Sequence, residues 1–301
     1  MVTVHHRTVS VDGLDVFYRE AGPADAPVLL LLHGYPTSSH MFRRLIPALA
    51  ETYRVVAPDH IGFGRSAAPS VEDFAYTFDR LTDVTRTFLT TLGITKYTVY
   101  VQDYGAPIAW RLFTRSPQRI TAIVSQNGNA YEEGFVDAFW APLWRWAVDG
   151  NSADRDIVAS TLTEDLVRWQ YTHGVADPTV VDPDTWLRDT ARINRPGQPA
   201  VQLALYADYP TNRDLYPVLH DTFRRHPVPL LAVWGENDEI FGPDGARAFA
   251  RDLPDARIEL LDGGHFLLES HLDAVAASMG DFLHDALGPD RVSPNTPSAD
   301  R

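Results

Sequence analysis

Tyr97-Thr98-Val99-Tyr100-Val101-Gln102-Asp103-Tyr104-Gly105, running on into Ala106 to Thr114, is the stretch on which the fold turns. An apolar β-like run ends near Gln102, a helix-like run opens at Ala106, and one charged side chain sits at the bend. That is the setting of a nucleophile elbow, where a sharp strand-to-helix turn presents a side chain at the top of an α/β sheet. Serine is usual at the apex, and here it is aspartate. The exchange alters the reaction class, because a carboxylate displaces a leaving group from sp3 carbon and becomes an ester itself, whereas serine forms an acyl-enzyme. Substrates with an epoxide or a carbon–halogen bond fit such a nucleophile. In isolation, Asp103 reads better as a helix N-cap accepting from orphan N–H groups. Three further segments turn the balance.

Outward from the bend, nearly continuous apolar runs recur at Val28–Leu32, Arg54–Ala57, Ile120–Ser125, Leu230–Trp234 and Ile258–Leu261. Strands buried on both faces by helices look like this. Residues 8–20 alternate around Asp12-Gly13 and predict a β-hairpin. Helical segments are expected at Met41–Glu51, Phe74–Leu92, Ala106–Arg115, Gly242–Asp252 and His271–Leu287. In the second, Phe78, Leu81, Val84, Phe88 and Leu92 share one face. The alternation predicts an α/β class chain with a mostly parallel, doubly wound sheet. It fails between 129 and 216, a helical stretch rich in tryptophan that reads as an inserted cap, leaving 1–128 and 217–287 as the core. Most cap aromatics are expected to pack, with Trp140 and Trp144 assigned to the cavity between cap and sheet. Residues 288–301 hold three prolines and little apolar content, and are expected to form a disordered tail.

With 301 residues, 45% of them hydrophobic, the chain can bury a large core. Its net charge of −14 argues against a nucleic-acid groove or an anionic membrane surface as partner and disfavours a strongly anionic substrate. There is no cysteine, which removes disulfides and thiolate metal sites. The first residues lack a signal-like apolar stretch, so cytoplasmic residence is the default expectation, with no membrane partner. His5-His6 offers no metal site, since neighbours in a strand point to opposite faces. No cofactor is called for.

His33-Gly34-Tyr35-Pro36 follows the strand at 28–32, and its expected task is an oxyanion hole. The backbone N–H groups of Tyr35 and Tyr104 would converge on one carboxylate oxygen, where charge develops when the ester is hydrolysed; His33 is assigned to the substrate cavity. Pro58-Asp59-His60-Ile61-Gly62-Phe63-Gly64-Arg65-Ser66 lacks the lysine of a P-loop and the third spaced glycine of a dinucleotide fingerprint, and is read as structural. Gly235-Glu236-Asn237-Asp238 and Asp262-Gly263-Gly264-His265-Phe266 follow two successive strands. The order Asp103, Asp238, His265 is nucleophile, acid, histidine, each at a strand's carboxyl end, where open α/β sheets build their sites.

On these motifs the chain resembles α/β-hydrolases of the epoxide hydrolase and haloalkane dehalogenase group over roughly residues 8–287. The resemblance implies that Asp103 attacks carbon, that His265 activates water to hydrolyse the ester, and that Asp238 orients the imidazole. It also implies a small apolar substrate. Dehalogenases of the group typically place a tryptophan directly after the nucleophile to hold the departing halide, and this chain has Tyr104 there. Val101-Gln102, in contrast, is closer to dehalogenases than to the Gly-His pair common in epoxide hydrolases. Epoxide opening in the group uses cap tyrosine hydroxyls as acids, and the cap holds Tyr131, Tyr171, Tyr206 and Tyr209. Position in the chain favours Tyr209, then Tyr171. Epoxide opening is the expectation, with dehalogenation as the alternative and a non-catalytic small-ligand binder as a third.

Overall fold

The computed structural model describes residues 2–288, so the stretch 289–301, most of the expected tail, lies outside it. The chain opens with the hairpin β1 (His5–Val11) and β2 (Leu14–Ala21), then β3 (Val28–Leu32), α1 (Leu45–Leu49), β4 (Arg54–Pro58) and α2 (Phe78–Thr91). Next come β5 (Tyr97–Gln102), α3 (Gly105–Arg115) and β6 (Ile120–Gln126). Six helices follow without a strand: α4 (Asp137–Asp149), α5 (Ser152–Ser160), α6 (Glu164–Thr172), α7 (Pro183–Ile193), α8 (Gln198–Asp208) and α9 (Pro210–Arg225). The chain then returns to the sheet through β7 (Leu230–Gly235), α10 (Pro243–Ala248), β8 (Arg257–Leu261), α11 (Leu267–Ser270) and α12 (Leu272–Leu287).

The strands form one sheet in the order β1-β2-β4-β3-β5-β6-β7-β8. Only the β1–β2 and β2–β4 pairings are antiparallel. The other five are parallel, which places the carboxyl ends of β3 and β5 to β8 on one edge. Two apolar layers follow from strand alternation. Leu30, Leu32, Val99 and Val101 face α2 and α3, whereas Leu29, Leu31 and Tyr100 face α1 and α12. Burying each such side chain contributes roughly 1.5–3 kcal/mol.

Three helices differ in extent from the sequence expectation, the one expected over Gly242–Asp252 ending at Ala248 with a 3-10 turn, Phe249–Arg251, after it. The segment expected from Met41 to Glu51 divides into a 3-10 turn, Ser39–Phe42, and the short α1. Pro47 is the cause: it has no N–H to give and its ring clashes with a carbonyl four residues back, so the helix cannot run back through Arg43. Helix α2 starts at Phe78 rather than Phe74, because Thr77 is extended and its side chain accepts from the N–H of Arg80.

Candidate active site

Asp103 has φ +47°, a left-handed conformation that carboxylate and amide residues tolerate better than others. The turn is enforced by closeness on both sides. A Cβ on Gly105 would lie 2.2 Å from the carbonyl oxygen of Leu32, and one on Gly34 would lie 2.5 Å from Asp103 Oδ1. Glycine at these places lets β3, its loop and the elbow touch. One result is that the N–H groups of Tyr35 and Tyr104 both donate to Asp103 Oδ1, each at 2.6 Å. The other carboxylate oxygen, Oδ2, lies 3.9 Å from His265 Nε2.

His265 and Asp238 meet at 2.8 Å, Nδ1 to Oδ2. Asp238 is held further by N–H donors from Ile240 at 2.7 Å and Phe241 at 3.2 Å, and by Asn127 Nδ2 at 2.7 Å. Asn127 itself has φ +48°. Gln126, its neighbour, donates to the His265 carbonyl at 2.9 Å and accepts from the Tyr100 hydroxyl at 2.7 Å. Two amide side chains at the end of β6 thus fix the acid and the histidine. Neither was singled out in the sequence, where a polar strand end carries no mark of its partners.

Burial raises the Asp103 carboxyl to about 6, against the opposing pull of His265 and the two N–H donors. For His265 burial disfavours the charged form, yet the Asp238 and Asp103 carboxylates outweigh it and lift the imidazole above its ordinary value. Among the described residues no group of three or more His, Asp or Glu is arranged to hold a metal ion.

The cavity over Asp103 is tight, with room for about one water. Tyr35, Tyr104, Phe139, Trp140, Gln170, Tyr206 and Ile240 complete its wall. A larger apolar hollow between α4, α5 and α6 lies behind Phe139, Trp140 and Tyr206. Trp140 spends its indole N–H on the Ile240 carbonyl at 2.8 Å. Tyr35 spends its hydroxyl on the Thr161 carbonyl at 3.0 Å. Tyr104's hydroxyl is buried without a protein partner. Tyr206's hydroxyl accepts from Thr161 Oγ1 at 3.2 Å, and Thr161 Oγ1 also donates to the Val158 carbonyl at 2.7 Å. Gln170 adds a buried amide nitrogen that is also without a partner.

Several residues assigned to the cavity from the sequence lie elsewhere. Tyr209 packs its ring between Trp140, at 4.5 Å, and Phe78, at 5.5 Å, because Pro210 ends α8 and turns that side chain toward the core. The cavity wall is reached instead by Tyr206, one turn earlier on α8. Tyr171 stacks on Phe266 at 4.0 Å and gives its hydroxyl to Asp189 at 2.6 Å. His33 is enclosed, its Nε2 accepting from the N–H of His60 and its Nδ1 3.0 Å from the Gly34 carbonyl, so its ring serves the loop. Trp144 stacks on Trp140 and lies under Arg213.

Comparison with known proteins agrees with the fold. A family model described as alpha/beta hydrolase fold matches residues 27–272. An uncharacterized hydrolase of Saccharomyces cerevisiae is 43% identical over 90% of this chain and 94% of its own length. A haloalkane dehalogenase of Mycobacterium marinum is 41% identical over 85% of this chain and 84% of its own. Epoxide hydrolase 3 of Mus musculus is 26% identical over 93% of this chain and 77% of its own. Among solved structures, the epoxide hydrolase CorEH superposes with a TM-score of 0.76 at 20% identity, covering 94% of this chain and 99% of that one. The chain belongs to the α/β-hydrolase fold family, and is an enzyme of the group that holds haloalkane dehalogenases and epoxide hydrolases.

Proposed function

We propose that this α/β-hydrolase opens epoxides to diols through a covalent ester on Asp103. The Oδ2 oxygen attacks the less hindered ring carbon, the carbon–oxygen bond breaks, and the departing alkoxide takes a proton from Tyr206, with Tyr104 as the second donor. Burial holds both phenols well above their ordinary pKa, which keeps them protonated as donors. Water then gives a proton to His265 Nε2 and adds to the ester carbon; the Tyr35 and Tyr104 N–H groups take the oxyanion charge on Oδ1. Collapse breaks the bond from the carboxyl carbon to Oδ2, the expelled alkoxide takes the proton left on the added water oxygen to give the diol and the Asp103 carboxylate, and the histidine proton returns through solvent to the tyrosinate.

The observation that carries this reading is how the donors are spent. Trp140 is the one tryptophan on the cavity wall and its N–H already serves Ile240, whereas Tyr104 and Tyr206 share that wall with Asp103 and neither hydroxyl is given to a protein carbonyl. A halide would find no uncommitted indole N–H among these wall residues.

Dehalogenation is the second reading, favoured by the 41% identity to the haloalkane dehalogenase of Mycobacterium marinum. A panel of styrene-type epoxides and bromoalkanes, with diol and bromide measured separately, decides between them. Diol formation is expected to exceed bromide release by at least about tenfold in kcat/KM. Rapid bromide release with no diol from any epoxide reverses the assignment.

A further inference from the structure

Gln102 closes β5 and is fully buried, one residue before the elbow. Its side-chain nitrogen lies 2.8 Å from His265 Nε2, and its Oε1 has no protein partner. A buried amide with one end unsatisfied carries an uncompensated desolvation cost, which an apolar residue of the same shape would avoid. Packing alone therefore gives no account of glutamine here. Nor does the backbone of His265, which Gln126 on the neighbouring strand already holds.

The ring geometry gives one. Nδ1 of His265 faces the acceptor Asp238 Oδ2, so it carries a proton in both charge states. In the neutral ring Nε2 then has a lone pair, and the group that meets it is the Gln102 N–H. We propose that Gln102 is a positioning residue that donates to His265 Nε2 and holds the imidazole in its neutral, Nδ1-protonated form. The base then remains able to take a proton from water, which replaces the amide at that lone pair once the ester has formed.

This use of the contact rests on the reading of Asp103 as nucleophile. Around the ring, Asp238 and Asp103 favour the charged form, Phe241 and Phe266 flank it without charge, and Glu239 at the mouth is paired with His173 at 3.2 Å. Against those two carboxylates, only burial and the Gln102 N–H favour the neutral ring.

The test is the pH dependence of ester hydrolysis in single turnovers with excess enzyme. Gln102→Met keeps length and removes the donor; the pH of half-maximal hydrolysis should rise by about one unit, with the alkaline plateau within about threefold. Gln102→Glu puts an acceptor in the donor's place and should move it further. A lowered plateau with an unmoved midpoint would mean a structural role and overturn the proposal, as would an unchanged profile. A readout that needs neither variant nor ester is 15N NMR of the unmodified protein above that midpoint. The Nδ1–H tautomer with Nε2 as acceptor is expected, and an Nε2–H tautomer overturns the proposal. If no ester ever forms but this tautomer is found, the functional reading falls and the contact stands.

Discussion

The sheet edge and the cap bury comparable side chains, but they satisfy them differently. At the edge, Asp103 Oδ1 has two backbone donors and Asp238 has four partners. Among the described residues, seven of the nine buried side-chain polar atoms without a protein partner fall on the helical stretch between β6 and β7, on Gln170, Arg188, Thr190, Arg195, Gln202 and Asn212. The other two belong to Gln102 and Tyr104, on either side of Asp103. Buried polar groups are ordinarily paired, so their concentration in one region is informative. The edge holds its carboxylates in one geometry, and of the unpartnered groups on the helices Gln170 lines the cavity over Asp103, where a bound molecule could complete its hydrogen bonds.

Changes at the edge should therefore remove whole steps, and changes in the cap should scale one of them. The largest expected effect is His265→Gln, which should slow ester hydrolysis by about a thousandfold or more while leaving ester formation within about tenfold. Intact mass spectrometry should show the substrate adduct accumulating, and normal turnover would break the assignment of the base. Next, Tyr206→Phe should slow ester formation on epoxides by about 10- to 100-fold, somewhat less than loss of a sole donor because Tyr104 remains. Tyr171→Phe should stay within about threefold, since that hydroxyl is occupied by Asp189; equal losses in the two would erase the distinction between the cavity wall and the rest of the cap.

The smallest expected effect concerns stability. Asp103 has its folded pKa raised, by burial first, to about 6 from 3.8. Between those values the native state holds more protons than the unfolded state, so stability falls as pH rises, and above about pH 6 the penalty is complete. Asp103→Asn accepts the same two N–H donors and tolerates the positive φ, and should be more stable than the parent by up to about 3 kcal/mol at pH 8. The gain should vanish below about pH 4. Thermal unfolding at the two pH values checks it, and a variant less stable at pH 8 would mean that the charged form is favoured by the fold.

The sheet, the elbow and the meeting of Asp103, Asp238 and His265 at one edge were legible in the sequence because each depends on a local pattern. Apolar runs mark buried strands, and Asp103, Asp238 and His265 each follow one. The cap was legible only as a helical interruption. Tyr209 and Tyr206 lie three residues apart, and which of them reaches the cavity depends on a helix break at Pro210 and on Phe78, 131 positions before Tyr209. Gln102, Gln126 and Asn127 were illegible for a related reason: their partners sit on β7, β8 and the loops after them. A polar residue at a strand end means little until the parallel pairing puts it beside another strand's loop.

The Trp140 indole bond to Ile240 has a mechanical consequence. Ile240 donates to Asp238, so helix α4 is bolted to the loop that carries the acid. A second bolt joins Tyr35 to Thr161 after α5, and a third joins Asn237 to Gly174 after α6. A roof fastened on three sides of Asp103 cannot swing on a hinge without dragging Asp238 and the Tyr35 loop with it. Admission is left to single rings, above all Phe139, which is shared by the tight inner cavity and the two apolar hollows outside it. Turning a single ring is faster than moving a domain, so passage past Phe139 is expected to depend on a molecule's width rather than its length.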